Sequence, residues 1–126
     1  MQQLTMTILE QEFSLHRLNV NSNVPPEVLA ADFYAITKTE DELSIVCPSA
    51  IVLTGKKMDA GWRCIKVCGI LDLTLTGILA GLTAVLADAK ISVFAFSTYD
   101  SDYLLVKQEN VEQAREALER SGHIFV

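Results

Sequence analysis

The chain has 126 residues, ten basic and sixteen acidic, so its formal net charge is −6, and half of its residues are hydrophobic. At this length roughly two thirds of the unfolded surface can be buried without a disulfide or metal staple, and the apolar content excludes a disordered chain. Residues 1–60 carry four basic and eight acidic side chains (−4) and residues 61–126 six and eight (−2), so neither half offers nucleic acid or an anionic membrane a basic surface.

The start, Met1-Gln2-Gln3-Leu4-Thr5-Met6, has no basic segment followed by an apolar core, as a secretory signal would. Leu4–Glu10 and Glu12–Val20 read as extended, and Asn21-Ser22-Asn23-Val24-Pro25-Pro26 as a turn. Between the prolines and Phe33 there is room for a short helix, Glu27–Ala31. Phe33–Thr37 and Leu43–Cys47 flank the charged stretch Lys38-Thr39-Glu40-Asp41-Glu42 and predict a β-hairpin. Thr54–Gly61 is a polar connector containing Lys56 and Lys57.

Trp62–Cys68 is rich in strand formers and ends at Gly69. Leu75, Ile78, Leu79, Leu82, Val85, Leu86 and Ala89 then recur with the 3.6-residue period of one helix face, with Asp72, Thr74 or Thr76 available as N-cap. The longest apolar run, Ile78–Ala87, is broken by Gly81 and Thr83 and is about half of the ~20 residues that a bilayer requires. Ile91–Ser97 is apolar on both faces, with Phe94 and Phe96 on one, and predicts a central strand whose second face is covered by the first half or by another chain. A turn at Thr98–Ser101 leads to a strand over Asp102–Lys107. Asn110 with Gln113 forms a capping-box pattern for a helix that turns Val111, Ala114 and Leu118 inward. Gly122 ends that helix, and His123–Val126 supplies a last strand. The order is β-α-β-β-α-β, the split βαβ arrangement of ferredoxin-like domains. The first half is a fainter echo of it, strand, short helix, hairpin and connector.

Enzymatic signatures are missing: there is no Gly-x-Ser-x-Gly elbow, phosphate-cradling loop or His-Glu-x-x-His. No cofactor is called for. His16 and His123 sit at opposite ends of the sequence, beside strand residues, and read as core-edge histidines. Cys64 and Cys68 share a strand face too far apart to bridge, and with Cys47 they read as buried thiols, not metal ligands. Their odd number, without a Cys-x-x-Cys pair, fits a reducing compartment, so the cytoplasm is expected.

Two loops carry the binding chemistry. Gly69-Ile70-Leu71-Asp72-Leu73-Thr74-Leu75-Thr76-Gly77 leads into a helix start, where free N–H groups favour a carboxylate and Asp72 can accept an amine. Ser97-Thr98-Tyr99-Asp100-Ser101-Asp102 adds two carboxylates and several hydroxyls. Such loops suit the two charges of an α-amino acid if they meet, across a domain or subunit seam. The plainer alternative is that Asp72 and Thr74 cap the helix and Asp100 builds a turn. The small residues Gly77, Ala80, Gly81 and Ala84 form a stripe for close packing, either on the sheet or against another lobe.

Thr76-Gly77-Ile78-Leu79-Ala80 resembles the Pro-Gly-Ile-Leu-Ala helix start of the ACT-domain family of small-molecule-binding regulatory modules, as found in aspartate kinases. Residues 91–106 are similar to the ACT-type repeats of the CASTOR arginine sensors, and Phe33–Cys47 resembles the hairpin of their preceding repeat. The resemblance implies an α+β protein: a ferredoxin-like βαββαβ ACT domain over 61–126, packed with a degenerate ACT-like lobe over 1–60. It further implies a non-catalytic homodimer with an amino acid or related metabolite held between repeats or subunits. By position, Gly69, Ile70, Leu71, Asp72, Thr74, Thr76 and Gly77 would take the ligand's α-carboxylate and ammonium. Ser97, Thr98, Tyr99, Asp100 and Asp102 would read its side chain. Thr76 stands where many members have proline, and the first half lacks the glycine motif, which puts in doubt a second copy of the site there. Any signal would pass to a separate protein partner. The rival readings are an assembly module that dimerises through the same surface without a ligand, and a small enzyme with Asp72 or Asp100 as general base.

Overall fold

The computed structural model describes residues 2–55, 57–72 and 74–126; Met1, Lys56 of the connector and Leu73 of the first loop lie outside the described residues. The chain runs β1 (Thr5–Leu18), α1 (Pro26–Leu29), β2 (Ala35–Lys38), β3 (Leu43–Pro48), β4 (Lys57–Val67), α2 (Ile78–Asp88), β5 (Phe94–Ser97), β6 (Asp102–Lys107), α3 (Val111–Arg120) and β7 (Ile124–Phe125). It divides into two compact units, Met1–Glu10 with Arg63–Val126, and Gln11–Trp62. The long strands β1 and β4 each contribute to both. Among the described residues no helix is long and apolar enough to cross a membrane.

In the unit Gln11–Trp62, β1 pairs antiparallel with β3, from Phe13 opposite Pro48 to Leu18 opposite Leu43. The expected hairpin is present: β2 pairs antiparallel with β3, Ala35 opposite Val46 and Lys38 opposite Leu43. Its charged loop is closed by Thr39, whose Oγ1 accepts the N–H groups of Asp41 at 3.1 Å and Glu42 at 3.2 Å. Val28 of α1, Leu43, Ile45 and Cys47 form one core cluster of this unit. His16 lies opposite Ile45 and so shares its face of the sheet. The polar connector is shorter than expected. β4 already begins at Lys57, and Lys57–Ala60 are exposed, so no inward alternation marks them as strand.

In the other unit, β4, α2, β5, β6, α3 and β7 follow the β-α-β-β-α-β order. The two helices cover one face of the sheet, with Leu82 and Leu86 of α2 and Ala114 and Leu118 of α3 closing on Ile65, Val67, Leu104 and Val106. One strand is added to the ferredoxin-like order. The start of β1 lies between β4 and β7: β7 pairs parallel with it, Thr5 opposite Ile124 and Met6 opposite Phe125, and Leu4 and Met6 are part of the same core.

Three local expectations are corrected. β5 lies at the edge of the sheet, not at its centre. Its apolar run misleads because Ile91, 5% exposed, anchors the turn after α2, with its N–H bonded to Leu86 O. Ala95 is exposed, while Phe96 stacks on Tyr103 with ring centroids 5.2 Å apart. Helix α2 begins at Ile78 behind Gly77, which sits at φ +79° with no side-chain cap, so none of Asp72, Thr74 or Thr76 caps it. Asn110 makes no side-chain cap either, because a 3₁₀ turn over Gln108–Asn110 leaves its backbone already helical. Gln113 reaches instead to Ala89 O, at 3.3 Å.

Candidate functional site

The two loops singled out in the sequence meet within one unit, across no seam. Leu71 N–H donates to Asp100 O at 2.7 Å, which ties the loop after β4 to the turn after β5. The buried Ser101 hydroxyl donates to Val67 O, fastening the same turn to the end of β4. Between the loops lies a cavity of about 300 Å³. Its walls include Leu71, Asp72, Leu75 and Gly77 from the first loop, Ile78, Leu79 and Ala80 from the opening of α2, and Ser97, Thr98, Tyr99, Ser101 and Asp102 from the second.

Each wall has a local cause. Asp72 accepts both the N–H and the hydroxyl of Thr74 on Oδ1, each at 2.8 Å, and its own carbonyl accepts Leu75 N–H at 3.0 Å. It therefore builds a turn two residues ahead, the role that short carboxylates take in loops. The Thr74 backbone N–H, then its hydroxyl, hold the Asp72 carboxyl below the usual carboxylate range, so it is ionised at neutral pH. That turn delivers the chain to Gly77, whose positive φ releases it into α2, and the first intrahelical bond runs from Gly81 N–H to Gly77 O at 2.9 Å. Helical geometry leaves the N–H groups of Ile78, Leu79 and Ala80 without an intrahelical acceptor, and these three residues line the cavity. The opposite wall is held by Ser97 Oγ, 2.5 Å from Asp102 Oδ1, and by Thr98, whose N–H donates to Ser101 O at 2.8 Å while its Oγ1 accepts Ser101 N–H at 3.2 Å. Tyr99 stands at the mouth, 79% exposed.

Of the residues expected at the site, Leu71, Asp72, Gly77, Ser97, Thr98, Tyr99 and Asp102 line the cavity. Gly69, Ile70, Thr74, Thr76 and Asp100 are exposed beside it without lining it; Asp100 contributes its backbone carbonyl. Leu75, Ile78, Leu79, Ala80 and Ser101 line it without having been expected. The Gly77-Ile78-Leu79-Ala80 motif was the signal for the middle three. The charged side chains on the walls are two carboxylates, Asp72 and Asp102, and no cationic side chain is among the described lining residues.

The other candidates lie elsewhere. His16 is buried and titrates below the usual histidine range because burial disfavours its charged form. Burial pushes the Cys47 thiol up and that of Cys64 up to about 12. Among the described residues no cluster of three or more His, Cys, Asp or Glu side chains is placed to hold a metal ion.

The geometry can be set beside known proteins. An ACT-domain family model matches residues 57–120, and a model of an N-terminal domain matches residues 11–52. The "Cytosolic arginine sensor for mTORC1 subunit 1" of Pongo abelii is 28% identical over 127 residues, covering 93% of this chain and 38% of that protein. Its Homo sapiens counterpart is 31% identical over 104 residues, 75% of this chain and 31% of that one. The chain thus spans about a third of the length of the curated relatives that it matches. A crystal structure from Agobacterium tumefaciens superposes with a TM-score of 0.92 at 31% identity, covering 100% of this chain and 94% of that one. Two more share the fold alone. Clostridium acetobutylicum aspartate kinase has a TM-score of 0.68 at 11% identity, over 91% of this chain and 34% of that one. The regulatory subunit of Thermus thermophilus aspartate kinase has 0.63 at 8%, over 91% and 97%. With a ferredoxin-like order of elements and a family match over more than half of its length, the chain belongs to the ACT-domain family.

Proposed function

We propose that this protein is a non-catalytic regulatory module that binds a free amino acid in the cavity between the two loops. The observation that carries this is the pairing of unlike charges across one 300 Å³ space: the opening N–H groups of α2 on one wall, carboxylates on others. The N–H groups of Ile78–Ala80 suit the ligand's α-carboxylate, since a helix N-terminus carries partial positive charge. Asp72, ionised and with Oδ1 already committed to Thr74, has Oδ2 to offer the ammonium. Asp102, Ser97 and Thr98 then face the side chain.

With two carboxylates on its walls, the cavity favours a cationic side chain over an acidic one, in line with the arginine-sensing relative. Exposed apolar residues rim it, Ile70 at 83%, Leu75 at 43% and Tyr99 at 79%. That rim supports a ligand closed in by a second lobe or a second copy of the chain in a homodimer. Regulation then follows from differential affinity: the ligand favours the arrangement in which its cavity is covered, and that changes the affinity for a separate protein partner. The proposed ligand contacts are the seven expected residues that line the cavity, together with the backbone N–H groups of Ile78–Ala80, in an ACT domain over residues 61–126 that follows a degenerate ACT-like lobe over 1–60.

Thermal melting against the twenty amino acids tests this. A ligand at a hundred times its Kd stabilises by about 2.7 kcal/mol, and Asp72→Ala should remove the shift while the oligomer persists. If no amino acid moves the melt, the sensor reading fails; if Asp72→Ala dissociates the oligomer, the assembly reading takes its place.

A further inference from the structure

His123 is only 4% exposed, and its Nδ1 accepts the N–H of Leu4 at 3.1 Å. An accepting nitrogen carries no proton, so the ring is neutral with its hydrogen on Nε2, which has no partner among the described residues. A second proton can go only onto Nδ1, the nitrogen that Leu4 N–H points at. Two donors would then face each other and the bond would be lost.

The bond sits in a short seam. β7 pairs with β1 through two residues, supported by Ile124 N–H to Leu4 O and Val126 N–H to Met6 O, both at 2.9 Å. The Gln3 side chain donates to Gly122 O at 2.9 Å and Thr7 Oγ1 to Val126 O at 3.0 Å. With so few bonds, loss of one changes the seam materially. We propose that His123 is a proton-operated clasp, holding the start of β1 against β7 while its ring is neutral and releasing that seam on protonation.

The neighbouring elements offer the charged ring little compensation. Residues 2–9 and β7 carry no titratable side chain. The acidic groups of α3, Glu112, Glu116 and Glu119, are exposed, and Glu119 pairs with Arg115 at 3.6 Å. Arg115 itself lies over the Phe125 ring, 5.6 Å from its centroid, and Arg120 is exposed. Burial, and to a lesser degree the amino-terminal charge, hold the ring's pKa below the usual histidine value.

Amide hydrogen exchange on the full chain, corrected for the intrinsic pH dependence of the chemistry, tests the clasp. Between pH 7.5 and 5, protection of the Leu4, Ile124 and Val126 amides should fall by about tenfold, as for loss of one hydrogen bond, while Ile65 and Leu104 keep theirs. His123→Asn keeps an acceptor near the place of Nδ1 and does not titrate, so its seam should stay protected throughout. Should that variant fail to fold, ¹⁵N shifts of the wild-type ring still decide, by reporting Nδ1 as the bare nitrogen at neutral pH. A protonated Nδ1 at pH 7.5 overturns the clasp. So does unchanged protection in acid, loss that Ile65 and Leu104 share, or His123→Asn losing protection as the wild type does.

Discussion

Replacing Gly77 with alanine isolates the device that aims α2 at the cavity. Gly77 has φ +79° and ψ 2°, and a Cβ built there meets nothing within 4 Å, so the substitution introduces backbone strain and no clash. For an L-residue the left-handed region costs about 1–2 kcal/mol. An unfolding entropy of about 2.1 cal/mol/K per residue gives ~260 cal/mol/K for 126 residues, so the melt should drop by about 4–8 °C. Gly77→Asn should fall between wild type and alanine, because asparagine enters this region more readily. Gly55→Ala is the control: its Cβ also meets nothing within 4 Å, its φ is not in the left-handed region, and its melt should stay put or rise slightly. Scanning calorimetry of the four proteins, with and without any amino acid that raises the wild-type melt, reads both effects. Gly77→Ala should also lose part of the ligand-induced shift, because relaxation of the strain re-aims the N–H groups of Ile78–Ala80. A Gly77→Ala melt within about 1 °C of wild type, or asparagine worse than alanine, would refute the reasoning.

Leu82 is fully buried beneath α2, and Leu82→Ala should cost about 2–5 kcal/mol by urea unfolding, whereas Val52→Ala, at an 87% exposed position, should stay within about 0.5 kcal/mol. His16 is held neutral by burial, so the unfolded chain takes up a proton near 6.5 that the folded chain refuses. Stability is therefore complete above that pH and declines as acid carries the protein towards the lowered folded-state value. His16→Leu should flatten the part of the decline in urea midpoint between pH 7.5 and 5.5 that His16 supplies; a wild-type midpoint that rises on acidification contradicts the sign. Of the three cysteines, Cys47 and Cys64 are buried with raised pKa values, so a thiol reagent at neutral pH should modify only Cys68 in the folded protein and all three in denaturant, as counted by mass spectrometry.

The hydrophobic pattern located β6 at Asp102–Lys107 and the inward face of α3, because alternation and a 3.6-residue period are local properties. It could not find the start of α2. Leu75 fits the helical period, yet the turn built by Asp72 holds it outside the helix as a wall of the cavity. The adjacency of β1 and β7 was equally hidden, since nothing local in Leu4–Glu10 names a partner near residue 124. At the site, Asp72, Ser97 and Asp102 were legible through side-chain chemistry. Much of the proposed anion-binding wall is backbone N–H at Ile78–Ala80, which any residue type but proline can supply, so only the helix-start motif Gly77-Ile78-Leu79-Ala80 pointed to it.

The placement of β1 also constrains the order in which this protein can fold as it is made. Leu4 and His123 are 119 positions apart, so β1 is made long before its partner β7. Until then Leu4 and Met6 belong to a core that cannot close on that side. Such long-range closure slows folding and leaves the β7-facing edge of β1 unpaired, and so open to aggregation, until β7 is in place.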